Sequence, residues 1–362
     1  MPSRKTRPRV NGADWGTAKK MNKSQHSDKG QEKVGKENES TELSEIKKIA
    51  TYLEIKETLM ISTYHSGEVW IIKKYSEGDT AHIKLKRKLP SGISANRDGI
   101  YVATEDCIEY YSRSSLKKAL LTGKHQKDSS EGEAGIKFDR KIKTGKVLCH
   151  EIQSRSHAVY YINTRYSIIS KDDNEKKNSF FWSPPFISEI KPHDYCHLNG
   201  FAFEGDEPRY ATCLAGTNFD RGWRLFPYSS GIIIDIKKNA IIKTNLILPH
   251  SPRIVKDNLF VLESGKATLT CISLETFHSK TLVDLPGFAR GMAMNKKHAF
   301  IGLSSIRNSN LWNELPVRKK HKDKNAKLAI IELENMQIIE TIELQNGQEE
   351  IFDIQILDCN NS

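Results

Sequence analysis

Imidazoles, guanidiniums and carboxylates recur in this chain at one kind of place, the few residues just before a short apolar run. Cys196-His197-Leu198-Asn199-Gly200-Phe201 is one such junction. Pro249-His250-Ser251-Pro252-Arg253 stands before Ile254-Val255, and Phe288-Ala289-Arg290-Gly291 before Met292-Ala293-Met294. Glu349-Glu350-Ile351-Phe352-Asp353 stands before Ile354-Gln355-Ile356. Imidazole titrates near neutrality, so His197 and His250 are the candidate acid or base groups. Arg224, Arg253 and Arg290 are candidates to hold a carboxylate, phosphate or sulfate through paired N–H donors. Asn163, Arg165, Asn199, Trp223, Glu350 and Asp353 complete the expected ligand-binding set. Each has a structural alternative. His197 can hold its own turn, Asn163 and Arg165 can cap one, and Trp223 can be a core aromatic. Arg253 and Arg290 can tie neighbouring segments by ion pairs, and Glu350 and Asp353 can hydrogen-bond a closing strand.

His150, His197 and His250 belong to successive junctions, and three imidazoles would suit a divalent transition metal. No local spacing supports that reading. His193 and His197 are four apart, but Pro192 and Asp194 argue against a helix presenting both. The expected metal set is therefore none, and no cofactor is assigned. The chain has no Walker loop, no GxGxxG, no HExxH and no GxSxG. Ser251 follows His250, but nothing activates it as a nucleophile.

The elements that must position these residues are short strands. From Leu59 onward, β-rich runs alternate with Gly, Asn, Asp and Ser turns, and no long helical periodicity survives. A loose unit recurs: an inner strand, a tight turn, a more apolar second strand, a polar turn and a third strand. It is read at Gly92–Ala95 with Ile100–Ala103 and Cys107–Tyr111, then at His150–Gln153 with Val159–Ile162 and Tyr166–Ile169. It returns at Gly200–Phe203 with Tyr210–Thr212 and Gly231–Asp235, and at Ser251–Val255 with Leu259–Leu262 and Thr268–Ile272. The fifth copy is Gly291–Met294 with Ala299–Gly302 and Leu328–Ile331. Two partial units remain, Leu59–Ser62 with Glu68–Ile72 and the C-terminal Phe352–Leu357. Joined, they make a sixth. The expected fold is all-β, a single six-bladed β-propeller over residues 43–362, closed by pairing its N- and C-terminal strands. Its inner strands would gather the polar junctions at one mouth. Tyr64, His65, Thr164, Ser264, Ser304 and Arg307, in turns after second strands, would face the same side. The stretch from Lys117 to Lys141 reads as a surface loop. Phe181 to Cys196, with Trp182 and Pro184-Pro185, reads as a packed rim segment.

Residues 1–42 are rich in Lys, Glu, Ser, Asn and Gly, and are expected to be a disordered basic arm. At its end, the helical spacing of Leu43, Ile46, Ile49 and Leu53 marks a short helix over 41–53. The formal net charge of +11 raises a nucleic-acid partner, but the excess sits in the arm and in Arg318–Lys327. Neither stretch interleaves aromatics, so both are read as solvated charge and nucleic-acid association is the weaker alternative. No apolar run approaches the ~20 residues that cross a bilayer, and Met1–Val10 has no apolar signal core. The six cysteines form no CxxC pair and are read as reduced, buried thiols. The expectation is a cytoplasmic monomer with no membrane partner.

From about Leu59 to Leu357 the chain resembles a family of conserved, propeller-like proteins, mostly bacterial. The resemblance rests on an ordered series: Ile61-Ser62-Thr63-Tyr64, Asn163-Thr164-Arg165, Trp182-Ser183-Pro184-Pro185-Phe186-Ile187, Cys196-His197-Leu198-Asn199-Gly200 and Gly222-Trp223-Arg224. It continues through Pro249-His250-Ser251-Pro252-Arg253, Leu262-Glu263-Ser264-Gly265, Leu285-Pro286-Gly287-Phe288-Ala289-Arg290-Gly291, Gly302-Leu303-Ser304 and Gln348-Glu349-Glu350-Ile351-Phe352-Asp353. His65 departs from that pattern, where Gln or a similar residue is expected, and the Lys-rich arm and loops depart from it too. The resemblance implies one propeller domain and brings no catalytic residues.

Two functional readings follow. In one, the mouth takes a polar, anionic small molecule or modified peptide and His197 or His250 does acid–base chemistry on it. In the other, the same mouth recognises its ligand or scaffolds a partner without reacting. The residues leave open whether the chain is an enzyme.

Overall fold

A computed structural model describes residues 41–123, 136–173, 175–306, 310–321, 325–344 and 349–357. The first 40 residues of the arm, Arg307 and part of the Arg318–Lys327 stretch lie outside the described residues. Residues 41–51 are helical (α1), and Ile46, Ile49 and Leu53 are buried as the spacing predicts, while Leu43 is 44% exposed. The buried face packs on Trp70, Phe300 and Ile342.

The chain then builds six four-stranded antiparallel sheets. β1 (Thr58–Thr63), β2 (Glu68–Ser76) and β3 (Asp79–Lys86) start blade 1. Blade 2 is β4 (Ile93–Asn96), β5 (Gly99–Ala103), β6 (Cys107–Ser112) and β7 (Arg140–Lys143). Blade 3 is β8 (Ile152–Arg155), β9 (Ala158–Asn163), β10 (Ile168–Asp172) and β11 (Ser179–Trp182). Blade 4 is β12 (Leu198–Glu204), β13 (Glu207–Cys213), β14 (Gly231–Asp235) and β15 (Ala240–Leu246). Blade 5 is β16 (Pro249–Val255), β17 (Asn258–Glu263), β18 (Thr268–Ser273) and β19 (Ser279–Asp284). Blade 6 is β20 (Phe288–Met294), β21 (His298–Ser304), β22 (Lys327–Glu332) and β23 (Gln337–Glu343). Last, β24 (Asp353–Leu357) returns to pair with β1, Ser62 opposite Asp353 and Thr58 opposite Leu357. The ring is thus a six-bladed β-propeller closed by its first and last strands, as the two partial units predict. The pairing completes blade 1 and covers the inner edge of β1, leaving only short, protected edges.

Second and third strands are near-continuous Val, Ile, Leu and Phe because both their faces meet neighbouring blades. In β17, Leu259 to Leu262 are all buried, and so are Ile232 to Ile234 in β14. The turns follow their chemistry. Asn96 Oδ1 accepts from the backbone N–H of Asp98 and Gly99 at 2.9 and 3.2 Å, and Asn295 Oδ1 from Lys297 and His298. An Asn side chain that copies a backbone turn in this way favours the tight connection.

Three sequence readings change. The stretch taken as a surface loop starts with a helix, α2 (Arg113–Gly123), and ends in strand β7. Leu116 and Leu120, one turn apart, bury that helix on the core shared by blades 1 and 2. The third strand of blade 3 begins at Ile168, because Thr164–Tyr166 form a 3-10 turn capped by Asn163 and Ser167 sits at φ 56. Each blade carries a fourth, outer strand beyond the three-strand unit. A short helix, α3 (Pro316–Lys320), follows β21 and buries Val317. Among the described residues, no helix is long and apolar enough to cross a membrane.

Candidate functional site

The inner strands converge so tightly that backbone meets backbone. A Cβ on Gly291, whose φ is +75, would lie 2.9 Å from Asp353 Cα of the neighbouring blade. A Cβ on Gly200 would lie 2.7 Å from Pro252 Cδ. Both positions therefore require glycine.

Short polar side chains stitch one blade to the inner-strand entrance of the next. Ser62 Oγ donates to Ser91 O at 2.6 Å, Thr164 Oγ1 to Leu198 O at 2.7 Å, and Asn199 Nδ2 to Pro249 O at 3.0 Å. Ser264 Oγ donates to Ala289 O at 2.5 Å and Ser304 Oγ to Ile351 O at 3.0 Å. The residue after each accepting carbonyl stands at the mouth end of its strand: Gly92, Asn199, His250, Arg290 and Phe352. His150 holds that place in blade 3. The mouth is therefore ringed by two imidazoles, a guanidinium, an amide, a phenyl ring and one glycine.

The two imidazoles are held alike. His150 Nδ1 is 2.9 Å from Leu148 O and 2.8 Å from Thr164 Oγ1. His250 Nδ1 is 3.0 Å from Leu248 O and 2.9 Å from Ser264 Oγ. A carbonyl oxygen only accepts, and each hydroxyl already donates to the next blade, so Nδ1 carries the proton in both rings. Nε2 is then a lone-pair acceptor in each. Burial, with Arg290 and neighbouring imidazoles adding to it, pushes both rings well below the usual imidazole range. They are neutral at physiological pH.

A third imidazole stands on the rim. His197, at φ 49, puts Nδ1 2.9 Å from Asp194 Oδ2, and Trp223 Nε1 donates to the same oxygen at 2.9 Å. The ring lies edge-on to His150 at 4.7 Å and against Trp223 at 4.4 Å, with Trp312 stacked on Trp223 at 6.2 Å. Asp194 Oδ1 is buried and has no hydrogen-bond partner among the described residues. Across the mouth, Arg290 lies on the face of Phe352, 3.3 Å from its centroid, and its Nη1 donates to Glu350 Oε1 at 3.1 Å. The other oxygen of Glu350 meets His65 Nδ1 at 2.9 Å. Tyr64 stacks on Phe352 at 5.0 Å, and His150 tilts against that ring at 5.5 Å.

One residue deeper the channel is filled by charge. Arg253 Nη1 donates to Glu151 Oε1 at 2.5 Å, its Nη2 lies 3.8 Å from Asp353 Oδ1, and its Nε donates to Met292 O at 3.1 Å. The carboxylates are further saturated. Glu151 takes the N–H of Phe201 and the amide of Gln153, and Asp353 takes the N–H groups of Ile93 and Ile354. Burial, aided by Glu151, pushes Asp353 up to about 7. Burial also raises Glu151, against the pull of Arg253. Two buried carboxylates share one guanidinium, so one of them resists ionising.

The candidates from sequence thus divide. His197, His250, Arg290 and Glu350 come together at the mouth with Trp223, which is buried behind His197. Arg224 lies half-buried over Trp223, 5.2 Å from its ring, and burial lowers its pKa. Arg253 and Asp353 sit below the mouth. Asn199 spends both ends of its amide on Pro249 O and Thr212 Oγ1. Asn163 caps the 3-10 turn, and Arg165 is exposed and reaches Lys146 O at 3.4 Å. Among the described residues, no group of three His, Cys, Asp or Glu side chains that could hold a metal ion is found. Sequence reasoning missed Asp194, Phe352 and Trp312 as site residues. One signal was available: His150–Thr164 and His250–Ser264 share a 14-residue spacing, and Arg290–Ser304 repeats it.

No curated protein matches the chain by sequence. Among solved structures, the fold is similar to a chain of a crystal structure of a nidogen/laminin complex. The TM-score is 0.52 at 10% identity, covering 83% of this chain and 98% of that one. It is similar too to a protein of unknown function from Bacteroides caccae, with TM-score 0.50 at 11% identity, covering 83% and 99%. At such identities the likeness is one of fold. Residues 47–361 match the family described as Domain of unknown function (DUF4915). The chain belongs to that family.

Proposed function

We propose that this family member binds a polar, anionic small molecule or modified peptide at the mouth of its propeller and that His197 serves there as acid or base. The observation that carries the reading is the Asp194–His197 pair. A carboxylate that accepts Nδ1–H fixes the ring's tautomer and orientation and leaves Nε2 to take a proton. Trp223 pins the same carboxylate from behind, so the pair is pre-oriented. Arg290 supplies the cation. Its neighbours Glu350 and Phe352 hold it in place, and the partly dry setting strengthens its attraction for an anion. Arg253, engaged by Glu151 and Asp353, supports the floor of the mouth.

The test measures binding of inorganic phosphate, sulfate and glutarate to the full chain by calorimetry, with Arg290→Gln beside it. At least one anion is expected to bind, about tenfold more weakly in the variant. Binding of none of them, or equal binding by the variant, overturns the mouth as an anion site. For the chemistry, a ligand found to bind is followed by NMR for conversion. His197→Ala and Asp194→Asn are expected to slow conversion about 100-fold with affinity little changed. The non-catalytic reading has its own support, because His150 and His250 repeat one bonding pattern as architecture would. No conversion by the parent chain, with affinity lost in His197→Ala, would favour it.

A further inference from the structure

The three imidazoles around Arg290 show what else that ligand must carry. We infer that it is a polyhydroxylated acid of the sugar-acid class, its acidic group facing Arg290 and its hydroxyls donating to Nε2 of His150, His197 and His250. This rests on the anion reading above and specifies it. In each ring Nδ1 is committed to an acceptor: Leu148 O, Asp194 Oδ2 or Leu248 O. Each ring therefore offers an acceptor nitrogen to the mouth, and an acceptor asks for a donor. A carboxylate or sulfate alone has no donors to give, so it would pair with Arg290 and leave three lone pairs facing it.

One metal ion needs ligands converging on one point, and among the described residues no group of three His, Cys, Asp or Glu side chains that could hold one is found. The three imidazoles come from blades 3, 4 and 5, and only His150 and His197 are close neighbours, at 4.7 Å between rings. Hydroxyls spread over a carbon skeleton match acceptors spread over three blades. A site built to accept from hydroxyls also discriminates, since an analogue lacking them forgoes those hydrogen bonds. His250 is 7% exposed, so little of the residue is open to water. The same placement serves the proposed chemistry: a hydroxyl donating to His197 Nε2 is within reach of a base held by Asp194.

The experiment compares glucuronate, glucose and glutarate on the full chain by calorimetry. Glucuronate has both the acid and the hydroxyls, glucose only the hydroxyls, and glutarate only the acid. Glucuronate is expected to bind at least about tenfold tighter than either. The variants are His150→Asn and His250→Asn. Asparagine keeps an N–H that can donate to the Leu148 or Leu248 carbonyl but has no Nε2 acceptor. Each is expected to weaken glucuronate about tenfold and leave glutarate unchanged, with the melting temperature confirming that the variant folds. Glutarate binding as tightly as glucuronate, or both falling together in the variants, overturns the sugar-acid assignment while leaving the anion site standing. Failure of both acids to bind overturns the anion reading itself. Methyl glucuronide and a glucuronate-ended oligosaccharide form the last arm. Preference for the free acid identifies a soluble metabolite, and preference for the oligosaccharide a glycan end. Either supports the shared chemistry.

Discussion

The mouth ring and the plug one residue beneath it are built from the same inner strands, yet they treat charge in opposite ways. His150 belongs to the ring and Glu151 to the plug, and Phe352 and Asp353 divide likewise. In the plug every carboxylate is met by Arg253 or by backbone N–H groups, and the channel is closed by its own ions. In the ring each imidazole is fastened by one nitrogen and offers the other. Polar residues in a propeller channel are therefore no evidence of a site by themselves. What distinguishes the two layers is that the plug's carboxylates are taken up by the chain itself, whereas each imidazole keeps one nitrogen for the mouth.

The sharpest way to break that distinction is to remove one guanidinium from each layer. Arg253→Met leaves Glu151 and Asp353 buried without a counter-charge, and is expected to cost about 3–5 kcal/mol in urea unfolding. Arg290→Met is expected to cost less, because Glu350 keeps His65 as a partner. Equal losses would show that the ring is as structural as the plug.

Acid titration should separate the layers next, with opposite signs. Asp353 has a folded pKa raised to about 7. Its contribution to stability is fully present below the ordinary aspartate pKa, about 4, and is lost as pH rises through 7. His150 and His250 have folded pKa values lowered by burial. Their contribution is present above about 6.5 and is lost as pH falls toward the lowered values. Asp353→Asn should flatten the stability profile between pH 4 and 7, and His250→Asn should flatten the fall below 6.5. Both effects should be smaller than loss of Arg253, which still opposes the carboxylates when one is protonated. Profiles of the two variants that move in the same direction would refute the assignment of opposite charge behaviour.

The fold was legible where burial wrote it. Second and third strands such as Leu259–Leu262 and Ile232–Ile234 are apolar on both faces, so they stand out as runs between turns. The closing strand was legible for the same reason, since Ile354 and Ile356 alternate as a strand should. Outer strands were silent because solvent takes one face: β15 reads Ala-Ile-Ile-Lys-Thr-Asn-Leu and is mostly exposed. Helix α2 was hidden in a charged stretch because, among its described side chains, only Leu116 and Leu120 are buried. In the site, types were legible and layers were not. His250 and Arg253 sit three residues apart in one junction, but a bulge between them sends one to the mouth and the other into the plug. Asp194 escaped because its importance lies in contacts with His197 and with Trp223, which is 29 residues away.

The smallest effect separates stitching from recognition. Ser264 and Ser304 do the same structural work, each donating to the inner strand of the next blade. Ser264 alone of the two also accepts from a ring imidazole. Ser264→Ala and Ser304→Ala each remove one buried hydroxyl from a carbonyl, so each is expected to cost about 1 kcal/mol in urea unfolding. Their effects on the ligand should differ. His250 without Ser264 keeps Leu248 O as its Nδ1 acceptor, so its ring is loosened rather than lost. Glucuronate affinity should then fall about threefold in Ser264→Ala and stay unchanged in Ser304→Ala. A matched fall in both would mean that the serines act on the mouth only through the strands they join, and that the ring positions of His250 and Arg290 are set by backbone alone.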